Sequence, residues 1–540
     1  MQRQWPLVAV VLMSVLVIAL VAFRSVGFGA KVAEPRPVPD GDQEIAWLHV
    51  PTSGDTWENF VWGMKRVEMN TAPTGLHVDD SGAFPSRTTA VPEVVISRDG
   101  FAGKLRVRWY KVTNDTPNAA WVKTLAARNP APLALVGGWS SDRASELAEA
   151  MAKANWPGQK PLLLLSTATA DVVDPGENSA SGYSPSKLIE LYERSYRFCF
   201  TNKQMADAVT DFVFSDPTLR PGPAIWPELR AAAGTAGATW GFPWLAEVAG
   251  KPQPIQAFAV EWRDDPYSKD LSQQLREAFV EQGGNAGRPR LEFAALRVPF
   301  SAGRFARPNP FEARIVDDIL AHPKFPQRGE RTVLVLPSVT APARRVLGAL
   351  VQGTPGAARR LVAVTGDGIP VNALFRDGEF AWPVRTLPIP LVLFTHSDPF
   401  DWDEPGDPRP PQGYELLPPG KPGEVKNSTE DIQLFTLLTR VVARGAYPDG
   451  TDRLIDGPDQ LAKHFGARVP KFFEDDSGNR RSGSGEHVVV LRPTPRIEGT
   501  VTFPDAVLEV WTRKPGEGWK RIRSRPVVQT MRPNDWGASE

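Results

Sequence analysis

At 540 residues the chain is long enough for two or three domains with sizeable cores. Lys plus Arg and Asp plus Glu number 62 each, so no net charge draws the chain to nucleic acid or to an anionic membrane surface. The single cysteine, Cys199, excludes an intramolecular disulfide and a cysteine-based metal cluster, and six scattered histidines, none at ligand spacing, point to no metal site.

From the N-terminus, Pro6 to Phe23 is apolar apart from Ser14. As a helix it would span about 27 Å, close to the hydrocarbon core of a bilayer. Residues 1–30 therefore read as an uncleaved membrane anchor, with a signal segment cut after Gly29 as the alternative. Either way the body is expected to be exported, on the periplasmic side of the membrane. A Pro-rich charged spacer, 31–44, follows. Strand and helix patterns then alternate. "IAWLHV" reads as a strand, followed by a helix with Phe60, Gly63, Met64 and Val67 on one face; "LRVRWYKV" alternates as a strand does. "LALVGGWSSDRASELAEAM" passes from a strand through a Gly-Gly turn into a helix whose Ala144, Leu147, Ala148 and Met151 share a face. Ser140, Ser141 and Asp142 are helix-capping types, and the open amides of such a turn suit a small anion. "PLLLLS" reads as a buried strand. A second strand–helix series begins at "IQAFAV" and runs through "LEFAAL", "TVLVLP" and "LVAVTG"; "DIQLFTLLTRVVA" is a late helix and "HVVVLR" a late strand. Two βα series in succession predict an α/β fold with two mainly parallel sheets.

The run from "LRVRWYKV" through "VGGWSSD" to "PLLLLSTATAD", then "RSYRFCFTNKQMADAVTDFVF", "AFAVEWRDDPYSKDLSQQLREAFVEQGG" and "KFFEDDSGNRRSGSGEHVVVLR", resembles the type I periplasmic binding proteins. It is most similar to the solute receptors of branched-chain amino acid ABC transporters. The resemblance covers most of residues 45 to 495. It implies two Rossmann-like lobes joined by three crossings, near Phe200, Leu391 and Phe473. Lobe 1 would take 45–199 and 391–472, lobe 2 would take 200–390 and 473–495, and 496–540 would lie beyond the family's usual end, with no assigned role.

By the same resemblance, Ser140 or Ser141, with Thr167, Ala168 and Thr169 of the Ala-Thr turn, would hold a ligand's carboxylate. Asp367 would take its ammonium, Tyr267 would line the cleft, and Trp57 could supply an aromatic wall. Ser338, Val339 and Thr340 stand where the family often carries further aromatics. Asp142 would repel a carboxylate unless it caps its own helix. The implied function is an extracytoplasmic receptor that closes over a small polar solute, amino acid-like, and presents it to a transporter permease, with no cofactor and no reaction. Two alternatives stay open. One is a sensor or scaffold that keeps the fold without a ligand. The other is an exported hydrolase using Ser140, although Asp142 breaks the G-x-S-x-G elbow and no spacing ties His396 or His464 to that serine.

Overall fold

The fold is that of a computed structural model, which describes residues 37–52, 54–70, 75–87, 89–173, 186–223, 254–284, 288, 290–299, 310–326, 330–353, 358–375, 381–399, 429–468, 472–473, 478–482, 485–494, 496–498, 501–503, 505–514 and 516–527. The apolar stretch Pro6–Phe23 lies outside them. Among the described residues no helix is long and apolar enough to cross a membrane.

Two sheets organise the chain. The first holds β1 (Gln43–His49), β2 (Leu76–Asp79), β3 (Glu93–Arg98), β4 (Leu105–Lys111), β5 (Ala134–Gly137), β6 (Leu162–Leu165) and β7 (Ser195–Arg197), in the order β2-β3-β4-β1-β5-β6-β7. From β4 to β7 all neighbours are parallel. Parallel strands need crossover helices that cover both faces, which is why β5 and β6 are continuous apolar runs. Helix α1 (Gly54–Asn70) packs its Trp57, Phe60, Val61, Met64 and Val67 on one face with Ile45 and Trp47. Helices α2 (Asn118–Ala126) and α3 (Ser141–Lys153) pack on the other, against Ala46 and Leu48. Ala144, Leu147, Ala148 and Met151 of α3 are fully buried, as their spacing predicts.

After β7 the chain enters α4 (Asn202–Ser215), capped by a reciprocal Thr201–Gln204 box, and builds the second sheet. Its strands are β8 (Ile255–Trp262), β9 (Leu291–Val298), β10 (Glu330–Val335), β11 (Leu361–Val364), β12 (Leu391–Thr395), β13 (His487–Pro493), β14 (Ala506–Lys514) and β15 (Gly518–Val527), in the order β9-β8-β10-β11-β12-β13-β14-β15. The strands from β9 to β12 run parallel, and the last three join antiparallel. Helix α5 (Pro266–Gly283) packs with α4 on one face. Helices α6 (Pro310–Leu320) and α7 (Thr340–Gln352) cover the other. Two late helices, α8 (Thr429–Ala446) and α9 (Pro458–Arg468), return to the first core, where Phe435 of α8 stacks on Phe60 of α1.

Two boundaries differ from the sequence reading. Leu391–Thr395 belongs to the second sheet, so the chain leaves lobe 2 after Thr395 rather than at 391. An apolar pentapeptide flanked by parallel and antiparallel partners is a buried strand, not a connection. Residues 506–527, beyond the expected end of the fold, form β14 and β15 and lengthen the second sheet. Their Trp511 and Trp519 pack on Phe212 of α4, and Arg523 pairs with Asp398 at 2.6 Å.

Candidate functional site

In an open parallel sheet, ligands bind beyond the carboxyl ends of the strands, where neighbouring strands send their helices to opposite faces. In the first sheet that point lies between β1 and β5, because α1 and α3 cover opposite faces. In the second it lies between β8 and β10, whose following helices α5 and α7 do the same. The described chain segments at these two points are His49–Thr52 with Gly138–Ser141, and Arg263–Tyr267 with Leu336–Thr340.

At the first point His49 ends β1; its ring stacks on Trp47 (4.7 Å) and meets Trp139 at 4.8 Å with the two planes tilted by 39°. Burial pushes the His49 imidazole down to about 4, so at neutral pH the shelf is a stack of uncharged rings. Gly138 holds φ +77°, and a Cβ there would lie 2.6 Å from the Ala144 Cβ. The Gly-Gly turn therefore serves both the left-handed bend and the close seating of α3. Ser140 is the N-cap of α3, but its hydroxyl makes no capping bond. Asp142 does not cap either; it is half-exposed, 3.7 Å from Arg143. Ser141 is buried and its Oγ accepts the Ala170 N–H at 3.2 Å, which ties the serine turn to the Ala-Thr turn. Thr167 donates to the Gly138 carbonyl at 3.4 Å. Ala168 is buried, its carbonyl accepting from the Cys199 thiol. Thr169 is buried with its Oγ1 unpartnered.

At the second point Asp265 caps α5 by accepting the Tyr267 N–H, with Pro266 at the first helical position. The Tyr267 hydroxyl donates to Asp367 Oδ1 at 3.0 Å and accepts the Gly368 N–H at 2.9 Å. Burial, then the Asp367 charge, holds this phenol well above its ordinary range. Asp367 Oδ2 lies 2.8 Å from His396 Nε2. "GDG" is dictated by this packing: a Cβ on Gly366 or Gly368 would sit 2.8 or 3.1 Å from the Tyr267 hydroxyl oxygen. Ser338, Thr365 and Ser397, just beyond the ends of β10, β11 and β12, each bury a hydroxyl without a partner. With Thr169 they make four such hydroxyls at the carboxyl ends of parallel strands, and a buried polar group without a partner is rare enough to call for one.

The two sets meet across the lobes. Asn202 N–H donates to the Thr169 carbonyl at 2.8 Å, and its side-chain amide reaches Asp270 at 2.8 Å and the Tyr267 carbonyl at 3.5 Å. Asp270, buried on α5, also accepts the N–H groups of Asp171 and Val172 from the first lobe. Burial and the Asp171 charge push Asp270 up to about 6, and burial, with Asp142 adding to it, does the same for Asp265. Around the second crossing, Gln433 of α8 donates to the Asp398 carbonyl.

Seven of the eight sequence-derived candidates thus lie in or beside these turns, although Ser141, Ala168, the Thr167 hydroxyl and the Tyr267 hydroxyl are spent on internal contacts. Trp57 is the exception. It stacks on Trp47 and Trp109 inside the first core, 1% exposed, and donates its indole N–H to the Ala83 carbonyl. It begins α1 on the helix's apolar stripe, so packing, not the cleft, claims it. The aromatic beside the serine turn is Trp139, within "GGWSSD" itself. His49, Asn202, Asp270 and the role of His396 have no local sequence signature, because each works through a distant partner. Among the described residues no cluster of His, Cys, Asp and Glu is arranged to hold a metal ion.

No family model matches the sequence, and no curated protein matches it. Solved structures do resemble the fold. A leucine-bound ABC transporter substrate-binding protein from Desulfitobacterium hafniense aligns at 12% identity and TM-score 0.43, over 89% of this chain and 100% of that one. A leucine-binding protein from Thermotoga maritima aligns at 12% and 0.43, over 89% and 98%. A solute-binding protein of an ABC transporter from Rhodopseudomonas palustris HaA2, in complex with p-hydroxybenzoic acid, aligns at 11% and 0.47, over 88% and 98%.

Proposed function

We propose that the protein is an extracytoplasmic solute receptor whose two lobes close over a small polar ligand, amino acid-like, for delivery to an ABC-type transporter. The observation that carries this reading is the set of buried, unpartnered hydroxyls at the carboxyl ends of strands in both sheets. Ser140 with the open N-terminus of α3 and Thr169 supply donors for a carboxylate, and Thr167, whose hydroxyl is given to the Gly138 carbonyl, braces the turn beside them. Tyr267 and Asp367 supply the opposing phenol and acid, and Trp139 on His49 supplies a flat apolar wall. Such a protein runs no reaction; ligand contacts with both lobes bias a hinge equilibrium. The N-terminal apolar segment, 6–23, would tether the body to the membrane.

The hydrolase alternative is disfavoured by His396. Both of its ring nitrogens are engaged, with Asp367 and with the Phe200 N–H, which leaves no lone pair to activate Ser140. The ligand-free scaffold remains the competing outcome of the test. Thermal unfolding of the chain in the presence of the twenty amino acids, their amides and simple aromatic carboxylates decides between them. A ligand at about 100 times its Kd adds roughly 2.7 kcal/mol and raises the midpoint. A panel that shifts nothing favours the scaffold.

A further inference from the structure

The three segments that join the lobes converge on one side-chain column. Phe200 lies in the first, between β7 and α4; His396 opens the second, directly after β12; Arg480 lies in the third, between α9 and β13. The Phe200 ring has the Arg480 guanidinium 3.8 Å from its centroid, and the His396 imidazole runs parallel to it within 9°, at 5.8 Å. The Phe200 N–H donates to His396 Nδ1 at 3.3 Å, which fixes the ring proton on Nε2, aimed at Asp367 Oδ2. The third segment is bound to the same place, since Arg480 donates to the Phe198 carbonyl and its own carbonyl accepts from Gln204 of α4. All of these groups are buried or nearly so, where a change in one partner's position is transmitted rather than absorbed by solvent.

We propose that His396 is a positioning residue that couples Asp367, at the mouth of the second lobe, to the pivot formed by Phe200 and Arg480. It orients the Asp367 carboxylate through Nε2–H, and through Nδ1 and its ring it ties that carboxylate to the backbone of the first crossing. A shift of Asp367 is thereby a shift at the hinge. This deepens the receptor reading and rests on it only for the identity of what moves Asp367.

The test needs no known ligand. In the full chain, exposed Ala152 on α3 and Val280 on α5 are replaced by cysteine and spin-labelled; the native Cys199, fully buried and with its thiol pushed up to about 12 by burial, stays unlabelled. The distribution of distances between labels then reports lobe opening. His396→Ala is expected to raise the open population at least threefold, Asp367→Ala to do the same, and the double variant to do no more than either alone. His396→Gln, which keeps an N–H near the Nε2 position, is expected to restore half or more of the effect. If His396→Ala does not fold, His396→Phe, which keeps a ring beside Phe200 and removes both hydrogen bonds, gives the same reading. An unchanged distribution, or effects of Asp367→Ala and His396→Ala that multiply, overturns the proposal. Calorimetry with the solute panel keeps the two ideas apart. A coupled shift in a chain that binds no solute overturns the receptor reading alone, and solute binding without a coupled shift overturns this one alone.

Discussion

The two lobes are built on the same plan and finished in different chemistry. Each is a mixed sheet whose parallel part contains a reversal of strand order, and each sends two helices to opposite faces from that point. The first lobe fills its point with rings and hydroxyls: His49, Trp139, Ser140, and the threonines of the neighbouring turn. The second fills it with an acid, a phenol and an imidazole, bonded in series from Tyr267 through Asp367 to His396. Fold supplies the place; the side chains in the loops decide that one wall is neutral and aromatic, the other acidic.

The sharpest break in this comparison lies within the first lobe, between aromatics of the core and of the cleft. Trp57→Ala removes a ring from the Trp47–Trp57–Trp109 stack and is expected to cost about 3–5 kcal/mol in urea unfolding. Next in size are the opposed pH responses. His49 has a folded pKa of about 4 against 6.5 ordinarily, so the unfolded chain binds more protons between those values. Its contribution is complete above about 6.5 and is lost as pH falls toward 4. Asp265 and Asp270, at about 6 against 3.8, act in reverse: the folded chain holds the extra protons, and stability falls as pH rises from 3.8 through 6. Each shift corresponds to about 3 kcal/mol. Asp270→Asn is expected to remove about half of the second slope, the Asp265 share persisting, and to leave the first; His49→Gln is expected to remove the first and leave the second, read from urea midpoints between pH 4 and 7.

Smaller effects follow. Gly366→Ala pushes a methyl toward the Tyr267 hydroxyl and Leu271 and is expected to cost about 1–3 kcal/mol. Trp139→Ala, at a half-buried position, is expected to change stability by less than about 1 kcal/mol. It should weaken solute binding at least tenfold, which titration calorimetry would measure.

Much of the fold was legible because it rests on local periodicity. The apolar runs at Leu133–Val136 and Pro161–Ser166 and the i, i+3, i+4 stripe of α3 state strand and helix without help from the rest of the chain. A short, mostly apolar run such as Leu391–Thr395 does not say which sheet it joins; only its pairing with β11 and β13 does, which is why the crossing lies after it rather than at its start. The serine and Ala-Thr turns stood out through their glycines and hydroxyls. Trp57 misled because an aromatic at the start of a helix looks the same whether it faces a cleft or a core. Asp270 and His396 stayed hidden because their partners lie far away in sequence: Asp171 and Val172 for one, Phe200 for the other.

Closure of the two unlike walls over one solute is the central claim. Small-angle X-ray scattering of the chain, with and without the panel member that raises its unfolding midpoint, tests it most directly. The account expects the radius of gyration to fall on binding, and the fall to require at least tenfold more solute for Trp139→Ala and for Asp367→Asn. A solute that binds stoichiometrically while the scattering curve stays the same would contradict it.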